Sequence, residues 1–203
     1  MKRRYHVLNY SVADDEEPID AVESELDRLR HAGHPDFQLY TVEGDERLTG
    51  HVYVAAPDDP VVTLVRDLAA ETWYLMVEGL DDGQVDRIAG ELSERLPVRG
   101  TEELRQAAEA EDAKPRELVR LALGTNGPAD PATIGILESR LRSPEPRMRA
   151  AAMEAASLTQ WPELVGPLET AAATEAQPDL KQFAAGALAA LRQALSRPGQ
   201  DGA

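Results

Sequence analysis

The chain has 203 residues, 42% of them apolar and 29% charged, enough to bury one large core or two small ones without covalent staples. It contains no cysteine, which excludes disulfides, a thiol nucleophile and thiolate metal sites. The formal net charge is −16, and residues 1 to 100 carry 10 Lys or Arg against 22 Asp or Glu while the remainder carries 11 against 15; such a surface repels phosphate backbones and anionic lipid, so the expected partner is a protein of basic character, with neither nucleic acid nor membrane.

Met1-Lys2-Arg3-Arg4 leads directly into an alternating pattern without the apolar core of a signal segment, and no apolar run approaches the roughly 20 residues of a membrane span. A cytoplasmic protein is therefore expected. Arginine outnumbers lysine 18 to 3 amid abundant alanine, a composition that points to a GC-rich bacterial genome.

Strand-like alternation runs through Tyr5 to Val12, Phe37 to Val42, Leu48 to Ala55 and Trp73 to Glu78. Between the first two lies a helical pattern from Pro18 to His31, with Ile19, Val22, Leu26 and Leu29 on one face; Pro60 to Glu71, with Val61, Leu64, Val65 and Leu68, reads as a second helix. Glu43-Gly44-Asp45-Glu46-Arg47 supplies a hairpin turn. The order β-α-β-β-α-β predicts a ferredoxin-like α+β sandwich over residues 1 to 80. A further helix is expected from Gly83 to Leu96, within a connecting helical stretch of residues 81 to 114.

If Leu75 and Val77 face the helices, Tyr74 and Met76 point away, and His51 and Tyr53 alternate with Val52 and Val54. His51, Tyr53, Tyr74 and Met76 thus define a candidate ligand or interface face, unless the C-terminal helices cover it. Acidic runs precede predicted helices at Asp14-Asp15-Glu16-Glu17, Asp58-Asp59 and Asp81-Asp82, where carboxylates cap free N–H groups and oppose the helix dipole. In the ferredoxin-like arrangement Asp14, Asp15 and Glu16 would share one end of the sheet with Glu43, Asp45 and Glu46, forming a candidate acidic docking edge. His31-Ala32-Gly33-His34 reads as a helix end rather than as metal ligands, and no metal, cofactor or catalytic constellation is expected anywhere.

The second half is punctuated by prolines at 115, 131, 146, 162 and 178, each opening an apolar helical pattern. Pairs of helices make a repeat: Pro131 to Ser139 aligns with Pro162 to Thr170, and Met148 to Ala156 with Leu180 to Leu188. The apolar-basic-x-x-Ala-Ala-x-Ala pattern of the second helix resembles the short bacterial HEAT-like repeats, including those of phycobilin lyases. Over residues 115 to 195 this resemblance implies an all-α stack of helical hairpins that binds protein along one surface. Ser196 to Ala203 reads as a frayed, disordered tail. The expected function is a non-enzymatic adaptor or regulator acting through the HEAT-like surface and the acidic domain. An immunity or antitoxin-like role against a basic partner, and a small-molecule sensor or enzyme on the sheet face, are the alternatives; a homodimer is compatible with each.

Overall fold

In a computed structural model the described residues are 2–13, 16–125 and 127–196, and the chain divides into two units, Met1–Arg99 and Gly100–Ala203. The first contains β1 (Lys2–Leu8), α1 (Glu16–His31), β2 (Gln38–Gly44), β3 (Leu48–Val54), β4 (Val61–Asp67), β5 (Thr72–Gly79) and α2 (Asp82–Ser93). Every strand pairing is antiparallel, in the order β1-β5-β4-β3-β2. β2 to β5 form a meander, and the chain's first strand lies against its last.

The segment from Pro60 to Glu71 is therefore not a helix, and the first unit runs β-α-β-β-β-β-α instead of the ferredoxin-like β-α-β-β-α-β. Val61, Val62, Thr63, Leu64 and Val65 include four β-branched residues, which fit a pleated sheet better than a helix. Val62, Thr63, Leu64 and Val65 are buried in succession, so the strand lacks the two-residue alternation that would have revealed it. Asp59 consequently caps no helix; its carboxylate accepts the Ala56 N–H at 3.1 Å in the preceding turn.

Both helices lie on one face of the sheet. Val22, Leu26 and Leu29 of α1 and Val85, Ile88 and Leu92 of α2 join Leu8, Tyr53, Leu64, Leu75 and Val77 in one buried cluster. α2 begins where expected because Asp81 accepts the Gln84 N–H at 2.9 Å. α1 ends at His31, and Gly33 two residues on has a φ of +90°, which suits a glycine in the turn after a helix.

The two edges of the sheet differ. Along β1, Leu8 bridges Val98, the Asn9 N–H donates to Pro97 O at 2.7 Å and the Arg99 N–H to Val7 O at 2.8 Å. Lys2 and Arg4 both hold Asp86 of α2, at 2.6 and 2.7 Å. At the opposite edge, among the described residues, no strand or bridge pairs with the outer side of β2, and six of its seven residues are exposed.

The second unit holds α3 (Thr101–Glu109), α4 (Pro115–Gly124), α5 (Pro131–Leu141), α6 (Pro146–Thr159), a 3-10 turn (Pro162–Leu164), α7 (Val165–Thr174) and α8 (Pro178–Leu195). Proline opens four of these helices and the 3-10 turn, because its missing N–H is unpaired in a first turn anyway. α3 packs on α4, α5 on α6 and α7 on α8; α4, α6 and α8 also follow one another in contact, as do α3, α5 and α7. Three hairpins thus stack in two layers around Leu118, Leu121, Leu137, Met153, Leu164, Leu168 and Leu191. Ala151, Ala152, Ala155 and Ala156 are buried along α6, and their small side chains let neighbouring helices approach closely. The stretch 81 to 114 is shared, α2 packing on the sheet of the first unit and α3 on α4 of the second. Asp14, Asp15 and the tail from residue 197 lie outside the described residues.

Candidate functional site

The most exposed part of the sheet is the hairpin of β2 and β3. Gly44 stands at φ +125° beside the turn, and Asp45 fixes that turn by accepting the N–H groups of Arg47 at 2.7 Å and Leu48 at 3.0 Å. These two donors hold the Asp45 carboxyl below its ordinary pKa despite its exposure to water. Glu43 and Glu46 differ from it in that both are exposed and neither caps a helix nor closes the turn.

Along β2 the pairing with β3 shifts register between Leu39 and Thr41, a β-bulge at Tyr40. Because Leu39 pairs with Tyr53 and Val42 with His51, Leu39 and Val42 share the helix-bearing face although they are three residues apart. That face is otherwise covered by α1 and α2, yet here it stays open: Leu39, Tyr40 and Val42 are 49%, 73% and 52% exposed. Asp36 lies at the start of the strand, 3.8 Å from Arg30, and carboxylates thus flank an apolar strip at both ends.

The four residues expected to share one sheet face do not. Cross-strand partners lie on the same side, so the rows His51–Leu64–Leu75 and Tyr53–Val62–Val77 place His51 and Tyr53 on the helix-bearing face. Tyr53 is buried there, its hydroxyl donating to Glu23 at 3.3 Å, and burial and that carboxylate push its pKa well up. Tyr74 and Met76 occupy the other face with Val52 and Thr63. Tyr74 meets Tyr5 edge-on with ring centroids 6.1 Å apart, and burial raises its pKa, with Asp67 and Tyr5 adding to the shift. Of the acidic edge, Glu16 begins α1 in its first turn, where a carboxylate favours the helix dipole, and Glu43, Asp45 and Glu46 belong to the hairpin.

His31 and His34 are directed apart. His31 Nδ1 lies 2.8 Å from Asp27 O, and His34 Nε2 lies 2.9 Å from Glu91 of α2. In the second unit a shallow cleft of about 560 Å³ is lined by Glu109, Glu111, Ile136 and Arg140. Arg140 is committed to structure, donating to the carbonyls of Ala108, Glu109 and Ala110 at 3.0, 3.3 and 2.9 Å, so it closes the end of α3 and offers the cleft little free charge.

Sequence reasoning misses Leu39, Tyr40 and Val42 as surface residues. The signal available is an apolar strand running straight into Glu-Gly-Asp-Glu, but whether a strand is central or at an edge depends on pairings that no local window contains. No protein-family model, no curated protein and no solved structure matches this chain.

Proposed function

We propose that this chain is a non-enzymatic adaptor or regulator that docks a basic protein, using the acidic β2–β3 hairpin together with the surface of the helical hairpins. The observation that carries the reading is the contrast among carboxylates. Asp81 and Asp130 cap helices, Glu175 holds Arg149, and Asp45 closes a turn, whereas Glu43 and Glu46 stand exposed at the hairpin tip and do none of these things. Charge placed there at no structural gain favours association with a partner of opposite sign, mainly by accelerating encounter. The stacking of hairpins, with α4, α6 and α8 in one layer and α3, α5 and α7 in the other, supports the HEAT-like reading, and such stacks present extended surfaces for protein binding. A narrower version, in which the acidic chain masks a basic toxin or nuclease, draws on the net charge of −16.

Capture from host lysate by the full chain tests this reading. A saturable partner should be retained at about 50 mM salt and released at about 500 mM, and Glu43→Lys with Glu46→Lys should weaken retention about tenfold or more. A partner whose binding ignores both salt and these substitutions would refute the role of the hairpin.

A further inference from the structure

The shallow cleft of the second unit sets uncompensated negative charge beside a floor of small and apolar residues. We propose that it receives the arginine or lysine side chain of a basic partner protein, with the aliphatic stem along α5 and the cationic head between Glu109 and Glu111. The inference rests on the adaptor reading and locates its contact on the helical hairpins.

The floor comes from α5. Ala132, Gly135 and Ile136 line the cleft at the three- and four-residue steps that bring positions onto one face of a helix. Gly135 is the fifth of the eleven residues of α5, where glycine weakens a helix relative to alanine. No close approach within the chain requires it, because a β-carbon there would meet no atom within 4 Å. What the glycine does supply is room: any side chain at this lining position would take up space that the cleft now keeps open.

The sign of the occupant follows from how the nearby charges are spent. Arg140 donates to the carbonyls of Ala108, Glu109 and Ala110 at the negative end of α3, so that cation is offset where it stands. The positive end of α5 is offset in turn by Asp130, which accepts the N–H groups of Ala132 at 3.3 Å and Thr133 at 3.1 Å. Neighbouring Glu102 and Glu117 hold Arg105 and Arg120, at 2.9 and 3.1 Å. Glu109 and Glu111 differ from them: both are exposed, and neither pairs with a cation among the described residues.

Two uncompensated carboxylates repel an anion and favour a cation. The volume of about 560 Å³ falls within the range of ligand sites, yet a shallow cleft encloses no small molecule and suits one side chain of a larger one. Arginine and lysine have the matching form, since an apolar stem lies on apolar surface while the charged head stays at the rim.

Nuclear magnetic resonance of the full-length chain with acetyl-triarginine amide as the probe tests the assignment residue by residue. At about 50 mM NaCl the peptide should move the backbone amides of Ala132, Gly135 and Ile136 saturably, and at about 500 mM those shifts should vanish. Acetyl-triglutamate amide should leave them in place. Glu109→Gln combined with Glu111→Gln, both at exposed positions, should raise the dissociation constant at the cleft at least fivefold. Gly135→Trp should abolish binding there while the amides of α7 and α8 keep their positions, and Glu43→Lys with Glu46→Lys should leave cleft binding unchanged. Peptide shifts confined to the β2–β3 hairpin overturn the cleft and spare the adaptor reading; shifts at neither place count against both. Cleft shifts that survive the paired glutamine substitutions and Gly135→Trp also overturn the proposal.

Discussion

At Gly44 a β-carbon would lie 1.9 Å from the Leu48 carbonyl oxygen, and the φ of +125° is one that other residues rarely adopt. Gly44→Ala is therefore expected to destabilise the first unit by about 2 kcal/mol or more, seen as a lower urea midpoint. A second residue-scale effect concerns Glu175, which accepts Arg149 Nε at 2.7 Å and Nη2 at 3.0 Å, and the Gln177 N–H at 3.0 Å. The Arg149 bonds, followed by the backbone donor, lower its pKa from 4.5 to about 2. Since the folded value is depressed, this contribution to stability is present above about pH 4.5 and is lost as pH falls toward 2. Urea titrations should show Glu175→Gln clearly less stable than the unsubstituted chain at about pH 6, with the gap closing at about pH 2.5. Equal gaps at the two pH values would show that the ion pair contributes nothing through ionisation.

Elements differ in how openly the sequence declares them. The helix starts at Pro115, Pro131, Pro146 and Pro178 are legible because proline acts through its own ring and missing N–H, which require no distant partner. Asp81 and Gly33 are legible for the same reason. β4 is not: Val61, Leu64, Val65 and Leu68 happen to fall at helical spacing, and a strand buried at four consecutive positions shows no alternation to contradict it. Its β-branched content is the better witness. The end of α3 depends on a residue 30 positions downstream, since Arg140 closes its terminal carbonyls from α5. Arg140→Ala should cost about 1–2 kcal/mol by stranding those carbonyls, and chemical denaturation of the full chain would measure it. Lysine at 140 should restore only part of the loss, because a single ammonium reaches fewer of the three oxygens.

For the molecule as a whole, sequence reasoning reaches the coarse plan of an acidic α+β sheet unit followed by stacked helices, and misses how the strands are ordered. That order decides everything about the candidate site. His51 and Tyr53 part from Tyr74 and Met76 because the face a strand residue takes is set by its partners, and β3 reaches β5 only through β4. A one-residue error in that chain of pairings exchanges the two faces. The acidic hairpin is legible because a turn is local, whereas the apolar strip of Leu39, Tyr40 and Val42 becomes visible only once β2 is placed at the margin.

The partial cover of β1 by residues 97 to 99 has a consequence best put in the vocabulary of polymer growth. A strand edge that can still form main-chain pairs behaves as a reactive chain end, and every covered stretch shortens it. The bridge from Leu8 to Val98 and the bonds at Pro97 and Arg99 cap only the end of β1, from Val7 to Asn9. Loosening residues 97 to 99 would lengthen that reactive end and favour step growth, one strand-paired contact after another.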